Sequence, residues 1–240
     1  MKDMKDICCV FLCKEQKFMA AYNINHLQRM IDDSKYDCDL FIYDNVDFDI
    51  YRKQFNYNYT FGPSYVGVTF LILLDCYQKH KDEYKYYMFF EDDLIFNSER
   101  NLFDDICDNF IYNNDNKDIY DVIFQNQRKK NYYWYWGIHN HLSNIKRQCY
   151  IPYSGLLNIY LMNQKTIEDL IKFINKGNWA HHEYLINSYI LKNKDKYNIG
   201  YLNNIYKVYS IANRLIHHKN YKEYDLIHPI KTLEEYSELL

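Results

Sequence analysis

Residues Tyr86–Phe96 read YYMFFEDDLIF, so that three consecutive carboxylates follow one apolar run and precede another. Like charges at this spacing repel one another, and removing them from water is costly unless a cation or hydrogen-bond donors compensate. The apolar run before the acids is typical of a strand buried on both faces of a parallel sheet. We therefore expect the acidic triplet where a core strand ends, beside a compensating cation or a set of donors.

The first half of the chain alternates between buried strands and helices. Two more apolar runs predict strands at Ile7–Cys13 and Cys38–Asn45. Apolar residues at helical spacing predict helices at Phe18–Ile31 and Tyr65–His80, the second with Ser64 as its N-cap. This alternation predicts an α/β fold with a mostly parallel sheet flanked by helices.

The alternation loosens after about residue 130. With no internal repeat and no Gly/Ser-rich linker, a single domain spanning 1–240 is the simplest prediction. The remaining predicted elements are helices at Leu102–Ile111, Gln164–Ile174 and Trp179–Lys192, strands at Tyr120–Gln125 and Ile151–Met162, and an irregular, then briefly helical end at Ile216–Leu240.

Composition narrows the functional classes. The 240 residues are 25% charged and 48% hydrophobic, which is ordinary for a soluble globular protein, although aromatics reach 19%. The formal net charge is −3 and no Lys/Arg block runs along the chain, so we expect no nucleic-acid partner.

Three further features predict a cytoplasmic protein. The seven cysteines form no Cys-x-x-Cys pair, which favours reduced thiols and argues against a structural zinc site. The apolar run near the start is too short for a signal peptide. The uncharged stretch Asn56–Leu74 contains Asn, Gly and Pro, so it reads as a loop and a buried helix rather than a membrane span. Peripheral contact with a membrane stays open.

The triplet itself suggests a metal site. Residues i and i+2 of an extended chain share a face, so Glu91 and Asp93 would point one way and Asp92 the other. Ligands of open α/β sheets bind at the carboxyl ends of the strands. Paired carboxylates there suit Mg²⁺ or Mn²⁺, which commonly also hold substrate phosphates. A solvated turn with Asp at a helix start is the alternative.

The stretch around the triplet resembles the acidic metal motif of nucleotide-sugar glycosyltransferases of the GT-A fold, in which an apolar strand leads into a D-x-D or E-D-D triplet. The second predicted strand ends in an acid, Asp44, which also fits that layout. Near the other end, LIHPIK at Leu226–Lys231 resembles the His-Pro-(Val/Ile)-Lys ending of some bacterial surface-polysaccharide transferases, of the lipopolysaccharide or capsule type.

The resemblance implies a GT-A-like, Rossmann-like single domain and a metal-dependent hexosyltransferase. A sugar would pass from a nucleotide-sugar donor, most simply a UDP-sugar, to a glycan, lipid-linked or other hydroxyl acceptor. Residues 1–130 would form the nucleotide-sugar-binding half, and residues 131–240 the acceptor-binding half with the C-terminal tail. Mn²⁺ or Mg²⁺ would be the cofactor.

The resemblance also implies roles for individual residues in binding the metal and the donor. Asp93 would bind the metal directly, and His228 would complete the metal site, with His217 or His218 as second choices. The donor-binding residues would be Glu91 or Asp92, acting through water or a ribose hydroxyl, Asp44 near the ribose or base, and Lys231 facing a phosphate.

Two further sites belong to the acceptor side. Glu183 lies at the start of the helix predicted at Trp179–Lys192 and would be the general base of an inverting reaction, or a donor-sugar ligand in a retaining one. It could instead only stabilise the helix dipole. Trp134 and Trp136 lie in the aromatic segment NYYWYWGIHNH and would stack on the acceptor sugar, although a buried strand is also possible.

Two rival functions remain open at this stage. A metal-dependent phosphodiesterase or nuclease would need more carboxylates near the triplet, for which Asp104, Asp105 and Asp121 are available. A non-catalytic sugar-binding module would keep the aromatic segment and lose metal dependence.

Overall fold

A six-stranded sheet forms the centre of the fold. The computed structural model describes residues 4–14, 17–57, 68–112, 120–125, 129–130, 153–154, 157–210 and 223–228. The strands of this sheet are β1 (Lys5–Cys13), β2 (Cys38–Asp44), β3 (Tyr84–Glu91), β5 (Val122–Phe124), β8 (Ile159–Asn163) and β9 (Ile199–Tyr201).

The sheet has the order β2-β1-β3-β8-β5-β9. Every pairing is parallel except those of β8, which runs antiparallel to both of its neighbours, β3 and β5. The predicted α/β architecture with a mostly parallel sheet is therefore confirmed. Because β8 runs the opposite way, its first residue lies at the edge where the parallel strands end.

Helices cover both faces of the sheet. They are α1 (Lys17–Asp32), α2 (Phe48–Gln54), α3 (Leu71–Lys79), α4 (Leu102–Ile106), α5 (Gln164–Asn175) and α6 (His182–Lys192), with a π-helical turn at Cys107–Ile111 and a 3₁₀ turn at Leu202–Asn204. Residues of α1 and α4 pack in one apolar cluster, and residues of α3, α5 and α6 pack in the other. Strand β1 contributes alternate residues to the two clusters, as its continuous apolar sequence predicts.

The helix predicted at Tyr65–His80 begins later than expected, at Leu71. The residues before it form a turn, in which the N–H of Leu71 donates to the carbonyl of Val68 at 3.0 Å. Val68 and Thr69 are β-branched and form helices less readily than the leucines that follow, which accounts for the later start. Ser64, the expected N-cap, lies outside the described residues.

Two other elements depart from the sequence prediction. Helix α6 begins at His182 rather than at Trp179, and the short helix α2 was not predicted. At α2, the side chain of Asp47 accepts a hydrogen bond from the N–H of Asp49 at 3.0 Å, as an N-cap does. No helix within the described ranges is both long and apolar enough to span a membrane.

The strand predicted before the triplet ends at it, as expected, but Asp92 and Asp93 are not in extended chain. Strand β3 ends at Glu91, Asp92 and Asp93 form a turn, and β4 (Ile95–Phe96) follows in a separate sheet. That sheet has the order β10-β11-β4, where β10 is Val208–Ser210 and β11 is Leu226–His228; β6 (Lys129–Lys130) and β7 (Tyr153–Ser154) form a third, two-stranded sheet.

Strand β11 corrects the prediction that Ile216–Leu240 is irregular and then helical. It pairs antiparallel with β4, with Ile227 opposite Ile95 and Leu226 opposite Phe96. Continuing this register brings His228 beside the turn that contains the triplet. The long-range pairing of two short apolar strands, and not the local sequence, sets the position of this histidine.

Candidate active site

The candidate site lies where β1 and β3 end and β8 begins. The N–H of Glu91, the last residue of β3, donates to the carbonyl of Asn158 at 3.0 Å, immediately before β8. One ligand atom each from Glu91, Asp93 and His228 lie within 4.8 Å of one another, and all three residues are buried. Nε2 of His228 lies 3.4 Å from Oδ1 of Asp93. Three of the residues predicted from the sequence therefore converge.

Lys14, the residue after β1, fixes the triplet from one side. Its Nζ donates to Oε1 of Glu91 at 2.7 Å, and its backbone N–H donates to Oδ2 of Asp92 at 2.8 Å. The Lys14 side chain is 22% exposed and that of Glu91 only 6%. A charge-assisted hydrogen bond of this kind is among the stronger ones in proteins. The chain itself therefore supplies part of the positive charge that the triplet requires.

Asn158 holds the site together from the other side. Its Nδ2 lies 2.7 Å from Oε2 of Glu91 and 2.9 Å from Nε2 of His228. A carboxylate only accepts hydrogen bonds, so the group that faces Glu91 is the NH₂ of the amide, and its second hydrogen faces His228. Nε2 of His228 is then an acceptor, which places the ring proton of the neutral imidazole on Nδ1.

The electrostatic field of the site agrees with that assignment. Burial lowers the pKa of His228 to about 4, although the negative charges of Glu91 and Glu183 act to raise it. Burial also acts to raise the pKa of Glu91, but the charge and the hydrogen bond of Lys14 act in the opposite direction, and the net pKa lies below its usual range. At neutral pH the site thus contains a charged Glu91 and a neutral His228.

The donor set fits a divalent metal ion. Two carboxylates and an unprotonated imidazole nitrogen are suitable ligands for Mn²⁺. The two carboxylates also suit Mg²⁺, which prefers oxygen ligands. Two polar atoms, Nδ1 of His228 and Oδ1 of Asn158, are buried with no hydrogen-bond partner within the part of the chain that the structure describes. Unsatisfied buried polar atoms are uncommon in proteins, and these two lie on His228, a candidate ligand, and on its neighbour Asn158.

Glu183 lies in the first turn of α6 and is 5% exposed. Its Oε2 is 3.9 Å from Nδ1 of His181, and its backbone carbonyl accepts a hydrogen bond from Nδ2 of Asn187. The negative charge of Glu183 acts to raise the pKa of both Lys14 and His228. This carboxylate therefore acts electrostatically on two residues of the site.

The other predicted site residues are less closely involved. Asp44 is exposed at the end of β2 and accepts a hydrogen bond from Nδ2 of Asn45 at 2.8 Å. Asp44 and the triplet both lie at the carboxyl ends of the strands, but β2 and β3 are two strands apart, which separates them by roughly 10 Å. Outside the described residues lie Trp134, Trp136, His217, His218 and Lys231.

The carboxylates that a two-metal nuclease would need are engaged elsewhere. Asp121 precedes β5, at the opposite edge of the sheet, and accepts from Nδ2 of Asn163 at 2.7 Å. Asp104 accepts from Oγ of Ser34 at 2.6 Å, and Asp105 pairs with Arg100 at 2.8 Å. Within the part of the chain that the structure describes, these three candidates therefore do not supply the additional carboxylates that the rival function requires.

Sequence reasoning missed Lys14 and Asn158. Each had a signal, because Lys14 directly follows the apolar run of β1 and Asn158 directly precedes that of β8. A polar residue next to a buried strand at the carboxyl edge of a sheet is a candidate ligand-binding residue. For Asn158, that reasoning would also have required knowing that β8 runs antiparallel.

No protein-family model matches the chain, and no curated protein matches it significantly. Among solved structures, it is similar to a glycosyltransferase involved in the glycosylation of the major capsid of PBCV-1. The TM-score is 0.51 at 7% identity, over 98% of this chain and 97% of that one. The chain has a glycosyltransferase fold. The similarity confirms the fold expected from the resemblance, and the bacterial surface-polysaccharide type stays a prediction.

Two further glycosyltransferases are similar at TM-scores below 0.5. One is a mutant of Drosophila β-1,4-galactosyltransferase 7 in complex with manganese, UDP-Gal and xylobiose, with a TM-score of 0.44 at 10% identity over 97% of this chain and 79% of that one. The other is mouse xyloside xylosyltransferase 1 in its apo form, with a TM-score of 0.46 at 7% identity over 94% and 97%.

Proposed function

We propose that this protein is a metal-dependent glycosyltransferase that moves a hexose from a nucleotide-sugar donor, most simply a UDP-sugar, to a hydroxyl of a glycan or lipid-linked acceptor. The observation that carries the proposal is the convergence of Glu91, Asp93 and His228 within 4.8 Å, at the carboxyl edge of the sheet of a glycosyltransferase fold. Open α/β sheets bind their ligands at this edge.

In this proposal, Asp93 and His228 hold Mn²⁺ or Mg²⁺. Since Nε2 of His228 has a single lone pair, metal binding there replaces its contact with the amide of Asn158. Such an ion, when bound, stabilises the negative charge that develops on a diphosphate leaving group. Both carboxylate oxygens of Glu91 already accept hydrogen bonds, from Lys14 and Asn158. Each of these oxygens has a second lone pair, so Glu91 can contact the metal directly or through a water molecule.

The donor's nucleotide would extend along the edge of the sheet toward β2. Asp44 is exposed there and is suitably placed for the ribose or base. Asp92 stays a predicted contact of the nucleotide-sugar donor, although its Oδ2 already accepts a hydrogen bond from the backbone N–H of Lys14. Lys231 for a phosphate, and Trp134 and Trp136 for the acceptor sugar, also stay predictions.

Glu183 is the proposed base. In an inverting reaction, the acceptor oxygen bonds to the anomeric carbon as the bond from that carbon to the diphosphate breaks, and the acceptor's proton passes to Glu183. Burial excludes water from this carboxylate, and its charge is coupled to Lys14 and His228. In a retaining reaction, Glu183 would instead bind the donor sugar.

A panel of UDP-, GDP- and CDP-sugars tests the proposed function directly. With Mn²⁺, we expect at least one donor to be consumed with release of the nucleoside diphosphate, and EDTA should reduce this release to background. Release of a nucleoside monophosphate would indicate a phosphodiesterase. Sugar binding that is indifferent to EDTA, without any release, would indicate a non-catalytic module. Either result would contradict the transferase.

A second prediction concerns the metal affinity. His228→Ala should raise the Mn²⁺ concentration for half-maximal activity at least about tenfold, because loss of residues that merely orient metal ligands already costs about 10–100-fold. The Michaelis constant for the acceptor should stay nearly unchanged. Titrating Mn²⁺ at saturating donor measures both effects.

His80→Ala is a matched control, since Nδ1 of His80 lies 3.4 Å from Oε2 of Glu83, the same distance that separates His228 from Asp93. This pair lies at the opposite edge of the sheet, where α3 leads into β3. Its loss should leave the metal dependence unchanged. A His228→Ala enzyme that behaves like the control would remove His228 from the metal site.

A further inference from the structure

Lys14 is held at the acidic triplet by two contacts that differ in kind. The backbone N–H bonds to Asp92, and this contact fixes the position of the main chain at the end of β1. The ammonium group bonds to Glu91 at 2.7 Å, at the end of a flexible four-carbon side chain. The ammonium can therefore change partners without disturbing the backbone contact.

The ammonium lies where a divalent cation would also be attracted. Glu91 belongs to the group whose ligand atoms lie within 4.8 Å of one another, and Nζ of Lys14 contacts the same carboxylate. Two cations within a few ångströms repel strongly at the low effective dielectric of a buried site. Lys14 and a metal ion thus compensate the same negative charge and disfavour each other.

We propose that Lys14 is the counter-ion of the metal-free site, and that metal binding displaces its ammonium from Glu91 toward the donor's diphosphate. This inference rests on the proposed function, since it assumes a metal ion and a nucleoside diphosphate at this site. Lysine binds phosphate as a point charge with rotatable donors, and it does not require the fixed geometry of arginine. The displaced ammonium would face the leaving group on the side of β1.

The variant Lys14→Met distinguishes this exchange from an ion pair between Lys14 and Glu91 that is purely structural. Without metal, the variant should melt below the wild type, because the carboxylates lose their counter-ion. It should bind Mn²⁺ at least about tenfold more tightly, because a repelling charge a few ångströms away costs more than a tenfold change in affinity. With saturating Mn²⁺, it should bind UDP more weakly than the wild type.

Two control variants sharpen the comparison. Lys14→Arg keeps the charge and should retain the metal-free melting temperature more nearly than Lys14→Met. Lys5→Met removes an ion pair of similar length, 2.6 Å to Asp39, at the other end of the same strand. It should change neither the Mn²⁺ affinity nor the UDP affinity.

Pulsed acetylation of lysines in the wild-type protein, read by mass spectrometry, tests the exchange without any variant. Labelling of Lys14 should rise when Mn²⁺ alone is added and fall again when UDP follows, while labelling of Lys5 stays constant. This measurement decides the question even if Lys14→Met does not fold.

The unfavourable outcomes are distinct. The exchange would be overturned if Lys14→Met bound Mn²⁺ as tightly as the wild type or more weakly. It would also be overturned if the labelling of Lys14 did not change when Mn²⁺ is added. Neither result would contradict the proposed transferase. Absence of Mn²⁺ binding in the wild type, measured with Mn²⁺ alone, would overturn both.

Discussion

Asp93→Asn should lower transferase activity by at least about 10²-fold while the protein stays folded, because it removes one charge from the metal site without changing side-chain volume. Asp93 is 3% exposed and its Oδ1 faces Nε2 of His228. The amide offers a neutral oxygen in place of the carboxylate. Turnover of the donor, and melting curves with and without Mn²⁺, measure the effect, and the Mn²⁺-dependent rise in melting temperature should also disappear.

Asp49→Asn is the control for this experiment. Asp49 forms an ion pair with Arg52 at 2.8 Å on α2, and its side chain is 64% exposed. Removal of this surface charge should leave turnover and the response to Mn²⁺ unchanged. If Asp93→Asn retains both, the triplet is not the metal site.

Glu183→Gln should reduce turnover by about 10²–10⁴-fold and leave the donor affinity unchanged. Glutamine keeps the shape and the hydrogen-bonding reach of the side chain but cannot take the acceptor's proton. If Glu183 only stabilises the helix dipole of α6, the substitution should instead cost about 0.3–1 kcal/mol of stability with little change in turnover. Turnover, donor affinity and melting temperature measured on one preparation separate the two roles.

Glu168→Gln is the matched control for Glu183. Glu168 lies on the neighbouring helix α5, where Lys81 contacts it at 2.8 Å and Tyr77 donates to it at 2.9 Å. We expect the turnover of Glu168→Gln to stay at the wild-type level. A Glu183→Gln enzyme whose turnover stays within about threefold of the wild type would exclude Glu183 as the base.

Strands β1 and β3 were predictable because they are continuous apolar runs, which burial on both faces explains. The prediction that β2 is also buried was wrong, because β2 lies at the edge of the sheet and only Cys38 of it is buried. All three strands nevertheless lie close to where the sequence places them. That β3 ends at the triplet was predicted, whereas the pairing of the residues after the triplet was harder to foresee. The apolar residues that follow, Leu94–Phe96, look like more of the same strand, but β4 pairs with β11 in another sheet.

The site was predictable only in part, because some of its residues are brought together by the pairing of distant strands. That a cation or donors must compensate the triplet followed from electrostatics, and Glu91, Asp93 and His228 do converge. The partners Lys14 and Asn158 depend on which strands become neighbours, and the sequence alone does not contain that order. Asn158 reaches the site only because β8 is inserted antiparallel between β3 and β5.

The pairing of β4 with β11 has a consequence for the order in which the nascent protein acquires its chemistry. Lys14 and the triplet emerge from the ribosome long before His228, which follows Asp93 by about 135 residues. At typical rates of synthesis, that delay is on the order of ten seconds. Lys14, which directly follows β1, the neighbour of β3, is already present in the chain during this interval. The complete set of candidate ligands can therefore assemble only after β11 has been synthesised.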